Sequence, residues 1–87
     1  MDNLDARILA FQFMASTHQR ADAVFALCRR VLGFRSRQRS RVVWSDAYEL
    51  LAVLIADSET FAASIRRRVQ AAERKAVCGH DREMRIA

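Results

Sequence analysis

Ser45–Gly79 reads SDAYELLAVLIADSETFAASIRRRVQAAERKAVCG, and this stretch decides how the chain folds. Ser45 is a helix-start residue type, and Gly79 is the type that most often stops a helix. Between them apolar residues recur at helical spacing: Ala47, Leu51, Leu54, Phe61, Ile65, Val69, Ala72 and Ala76. No proline interrupts. One position in the stripe is polar, Ser58, and it falls where Asp57 and Ser58 suit the start of a new helix. The stretch is therefore one long helix, or two helices meeting at residues 57–58.

The totals bound the rest. A chain of 87 residues holds one domain. Apolar residues make up 52%, enough for a folded core and too many for a disordered chain. Zero prolines and two glycines suit long helices and few turns. Charges break every apolar run well before the roughly 18 residues that a membrane span requires. The N-terminus reads without a secretory leader, so the expected setting is cytoplasmic. Cys28 and Cys78 then read as free thiols.

The formal net charge is +5 and the pI near 10.6. Every basic residue but Lys75 is Arg. Arg is the residue of choice for bidentate contact with phosphate or carboxylate, and genomic base usage alone also produces such a bias. The charge suits a nucleic acid, an acidic protein surface or an anionic membrane, and does not choose among them.

Outward from the opening stretch, residues 2–33 form a first limb. Asp2 or Asn3 caps it and Asp5 favours its positive end. Leu4, Ile8, Phe11 and Ala15 make one stripe; Val24, Phe25, Cys28, Val31 and Leu32 make another. Ser16 and Gln19 have capping-box spacing, so the limb is either continuous or broken at Ser16. Phe13, Val24, Leu27 and Val31 exceed what one seam needs and read as a self-association surface. Gly33 ends the limb.

A turn near residue 38 would fold limb 2–33 against limb 45–78, leaving 34–44 as a basic loop and 80–87 as a mixed-charge tail. Partners then have numbers summing to about 77. Ile8 meets Val69, Phe11 meets Ile65, Ala15 meets Phe61 or Ala62, and Phe25 meets Leu51. Asp2 and Asp5 approach Arg74 and Lys75. His18 falls opposite Asp57 and Ser58, a polar layer that would hold the register. Each limb would be about 48 Å long. So small a pair buries little, which predicts a twofold dimer forming a four-helix bundle. If the limbs break at Ser16 and Asp57, the alternative is a monomer of four short helices.

The segment Arg35-Ser36-Arg37-Gln38-Arg39-Ser40-Arg41 differs in kind, with no acid from Phe25 to Ser45. In a strand, Arg37, Arg39 and Arg41 would share one face. The order of basic strand, helix from Ser45, turn at Asp57-Ser58 and helix to Ala76 resembles the ribbon-helix-helix family of DNA-binding repressors over residues 37–76. The resemblance implies a dimer that inserts a two-stranded ribbon into the major groove. The turn here lacks the family's common glycine, Gln38 and Ser40 are polar where the family is apolar, and residues 1–34 precede the strand. Alternating Arg and Ser equally suits a solvated interhelical loop.

No catalytic constellation stands out. Arg66-Arg67-Arg68 with Arg74-Lys75 spreads around a helix and reads as a solvated face. Cys78-Gly79-His80-Asp81 has metal-ligand residue types but no second close pair, so no metal or other cofactor is expected. The expectation is a non-enzymatic, all-α helical hairpin, dimeric, that regulates or inhibits a protein partner. Phe34 and Trp44 would anchor the contact, with Arg35, Arg37, Arg39 and Arg41 steering and pairing. The alternative is a DNA-binding regulator using the Arg35–Arg41 segment on phosphates.

Overall fold

A computed structural model of the chain describes residues 1–33 and 42–86, with side-chain surroundings as far as Val77. Four helices follow one another: α1 (Asn3–Ser16), α2 (Ala21–Leu32), α3 (Trp44–Asp57) and α4 (Glu59–Ile86). Among the described residues there is no strand. Arg37, Arg39 and Arg41, the expected strand face, lie outside those residues.

Both breaks have local causes. α1 stops because Ser16 and Thr17 turn their hydroxyls back onto the carbonyls of Gln12 and Phe13. That competes with continuation of the helix. His18 then adopts left-handed backbone, φ 54°, which no helix interior tolerates. Ser16 thus closes α1 and does not cap α2, whose N-cap is Arg20. At the second break Ser58 has extended backbone. Its Oγ accepts the Phe61 N–H at 3.2 Å, the bond of an N-cap to the third helical residue. Three other ends differ from expectation. Asp2 occupies the N-cap of α1 without a side-chain bond. α3 begins one residue early, after Val43, so Ser45 lies inside it. α4 runs through Gly79 to Ile86. A mid-helix glycine costs only about 1 kcal/mol relative to alanine, too little by itself to end a helix.

Gly33 ends α2 as expected. Its φ is 70° and its N–H donates to the Arg29 carbonyl at 2.9 Å. A Cβ there would meet nothing within 4 Å, so the cost of substitution is purely conformational. Gly33→Ala should lower stability by about 1 kcal/mol, and Gly33→Asn by less. Urea midpoints of the three proteins check this. An alanine variant as stable as the wild type would contradict the left-handed cap.

α3 is the central element and packs against α1, α2 and α4. α1 lies antiparallel to it. The Arg7 guanidinium holds the Glu49 carboxylate through two bonds, 3.0 and 3.1 Å. One turn further along, the Phe11 ring meets Trp44 edge-on at 5.9 Å. Partners along α1 and α3 therefore sum to about 56, which is ordinary antiparallel pairing. α1 and α4 run the same way instead. The Met1 amine meets Glu59 at 2.9 Å, and further along Ile8, Leu9 and Gln12 line a hollow with Arg66.

This corrects the long hairpin. Two continuous limbs would bury one stripe each. Folding at 17–20 and at 58 lets α1 settle on α3 and α4 together, so one chain removes more apolar surface from water. The buried face of α1 is Ala6, Leu9, Ala10, Phe13 and Met14. The expected inner stripe of Leu4, Ile8, Phe11 and Ala15 is exposed. Val24 and Cys28 of α2, Ala47, Leu51, Ala52, Leu54 and Ile55 of α3, and Phe61, Ala62, Ile65 and Val69 of α4 complete the core. No charged or polar side chain is buried among the described residues.

The polar layer falls with the register. No hydrogen bond or ion pair joins His18 to Asp57 or Ser58. His18 follows the far end of α1, about 21 Å from the end where Met1 meets Glu59. Asp2 likewise lies towards the start of α4, some four turns from Arg74 and Lys75, and Asp5 shares a hollow with Arg66, about two turns short of them.

Candidate interaction surface

The outer faces of α1 and α3 carry apolar side chains that the core does not use. Leu4, Ile8 and Phe11 follow one another at four- and three-residue spacing, so they share one side of α1. They are 65%, 49% and 56% exposed. Trp44 at the start of α3 extends the strip. Its indole stacks on the Tyr48 ring at 5.3 Å and receives Phe11 edge-on, yet stays 42% exposed. Val43 and Val53 are also exposed.

Arg7 and Glu49 bridge the two helices within this surface. The Arg7 guanidinium also lies 5.9 Å from the centre of the Tyr48 ring. The hydrogen bond to Glu49, and then that to Tyr48, raises the Arg7 pKa above its ordinary value. The pair neutralises itself, so the middle of the face presents no unpaired charge. An exposed ion pair of this kind contributes little stability. It marks where the two apolar-bearing helices lie side by side.

Of the residues expected to bind a partner, Trp44 lies on this surface. Phe34, Arg35, Arg37, Arg39 and Arg41 lie outside the described residues, in the segment that leads into α3. Of the expected self-association residues, Phe13 and Val24 are buried in the chain's own core and Leu27 is half-buried. Only Val31 is exposed, beside Leu32 at the end of α2. Phe13 and Val24 are therefore not free to meet a second copy. Asp57 is exposed, and Ser58 serves α4 as its cap.

Sequence reasoning missed Leu4, Ile8, Phe11 and Tyr48 as surface residues. One signal was present. The opposite side of α1 carries Ala6 and Ala10 among larger residues. Small side chains let a helix approach its neighbours closely, and both alanines are at most 1% exposed.

Among the described residues no three or more His, Cys, Asp or Glu side chains converge as a metal site would require. Cys78, His80 and Asp81 have no described side-chain surroundings. No helix among the described residues is long and apolar enough to cross a membrane. No protein-family model matches the chain, and no curated protein or solved structure is significantly similar to it.

Proposed function

We propose that this chain is a non-enzymatic regulatory or inhibitory protein of the cytoplasm, which acts as a homodimer by docking on a protein partner. The observation that carries this reading is the half-open aromatic group of Phe11, Trp44 and Tyr48, continued by Ile8 and Leu4. A contiguous exposed apolar face of this kind marks an interaction site, and aromatic residues beside Arg are what such sites enrich. The Arg35–Arg41 segment ends three residues before Trp44. It supplies positive charge that draws in acidic groups while the aromatics form the desolvated anchor.

The second reading is binding to nucleic acid through Arg37, Arg39 and Arg41, favoured by the net charge of +5. Capture from host lysate with and without nuclease separates the two. If docking is right, a discrete protein survives nuclease and moderate salt. Trp44→Ala should then weaken that capture by about 30-fold, the scale of a central aromatic anchor. Recovery of nucleic acid, lost steeply with salt and abolished by replacing the three arginines, would overturn docking in favour of the second reading.

A further inference from the structure

α4 packs against α1 and α3 along Phe61, Ala62, Ile65 and Val69. The basic residues of this helix divide between two sides. Arg66 turns towards α1, where it shares a hollow with Asp5 and Gln12. Glu73 follows seven residues later, about two turns on, and so lies in the same row as Arg66. Arg67 and Arg68 lie off this side and away from the core. Arg74 continues the row of Arg67, and Lys75 that of Arg68, each again seven residues on. All four are exposed, and among the described residues none is paired with an acid.

The outer side of α4 therefore carries two rows of cations. Members of one row lie about 10 Å apart along the axis, and the rows lie about 100° apart around it. Between them, as far as Val77, are Thr60, Ser64 and Ala71, so no apolar side chain larger than alanine separates the rows. From Thr60 to Val77 the only acid is Glu73, on the α1 side. The exposed Leu4, Ile8, Phe11 and Trp44 belong to other helices.

We infer that this outer side of α4 binds double-stranded DNA, lying along the major groove with one row of cations towards the phosphates of each strand. The B-form major groove is about 12 Å wide and admits a helix. Small side chains on the midline let the helix approach the floor of the groove, and the long Arg and Lys side chains on either flank reach its walls. With phosphates as its targets, the contact carries little sequence preference. An A-form RNA duplex has a major groove too narrow for this entry. A lipid surface fits less well, because a helix lying in it presents bulky apolar side chains and this midline has none. The contact uses neither the Arg35–Arg41 segment nor Trp44, so it is separate from both surfaces proposed above.

Fluorescence anisotropy of a labelled mixed-sequence duplex of about 20 base pairs, titrated with the full chain over a salt series, tests this. The wild type should bind, with log K falling linearly against log salt. Arg67→Gln with Arg74→Gln should weaken binding at least about tenfold near 0.1 M salt and lower the slope by about 2. Arg68→Gln with Lys75→Gln, in the other row, should do the same. Arg30→Gln with Arg66→Gln removes equal charge away from this side and should weaken binding less than about threefold. All six side chains are exposed, and circular dichroism checks that the helices persist. If one row's variant loses helix, the other row decides. No duplex binding at about 50 mM salt, equal losses in all three variants, or an RNA duplex bound as tightly overturns the contact. So does displacement of the DNA by polyglutamate at equal charge, which would show plain attraction to polyanions. Loss confined to replacement of Arg37, Arg39 and Arg41 overturns it in favour of the second reading. Trp44→Ala should leave duplex binding unchanged, so failure here leaves partner docking as it stands.

Discussion

Phe13→Ala should destabilise the protein by about 3–5 kcal/mol, while Phe11→Ala should cost less than about 1 kcal/mol. The two rings lie two residues apart on one helix. Phe13 is 2% exposed and belongs to the single core cluster to which all four helices contribute; Phe11 is 56% exposed and touches Trp44 from outside. Removing Phe13 loses the transfer free energy of a whole ring and leaves a cavity that four packed helices close only in part. Removing Phe11 loses one edge-to-face contact on a wet surface. For a chain of this size total stability is of order 4–13 kcal/mol, so Phe13→Ala approaches the folding limit. Phe13→Leu, with a smaller loss of about 1–2 kcal/mol, keeps the comparison measurable if the alanine variant does not fold. Urea unfolding gives the values. Equal costs at positions 11 and 13, or a larger cost at 11, would return Phe11 to the core and contradict the packing of α1.

Cys28 should resist thiol reagents until the whole protein unfolds. It is fully buried and carries no disulfide. Burial pushes its thiol up from its ordinary value near 9.0 to about 11. Reagents attack the thiolate, so both access and ionisation are withheld in the native state. In a Cys78→Ser background, native protein should react with a maleimide at least about a thousandfold more slowly than protein in urea, as expected when opening requires several kcal/mol. A native rate close to the unfolded one would show that α2 does not seal on α3. The pH dependence has a defined sign. Between pH 9.0 and about 11 the unfolded chain loses the Cys28 proton while the native chain keeps it. The native state then binds more protons, so stability falls as pH rises through that window. Cys28→Ala should remove this part of the alkaline slope.

The all-helical class was legible in the chain because absent prolines, two glycines and apolar spacing all point the same way. So were both breaks, since Ser16 and Asp57-Ser58 interrupt otherwise apolar stripes with residues that bond to backbone. Gly33 was legible as a stop for the same kind of reason. The way the helices meet was not. A sum of about 77 paired apolar with apolar throughout, because stripes at helical spacing also pair well in other registers. α1 carries two apolar sides of similar weight, and only the alanines at positions 6 and 10 hinted which one faces inward. Of the exposed apolar face, Trp44 was singled out from its place between a basic segment and a helix. Phe11 and Tyr48 were not, because their contact with Trp44 exists only once α1 has folded onto α3. Gly79 misled because a single glycine costs a helix only about 1 kcal/mol, which does not by itself end it.

The packing of α1 on α3 turns Leu4, Ile8 and Phe11 outward beside Trp44, and the proposed function depends on it. The most direct measurement is the set of nuclear Overhauser contacts from the single tryptophan. Trp44 should show cross-peaks to the rings of both Phe11 and Tyr48, and Phe11 should show none to Ile65. Cross-peaks between Phe11 and Ile65, with none between Phe11 and Trp44, would mean that the chain closes as a long hairpin and would contradict the account.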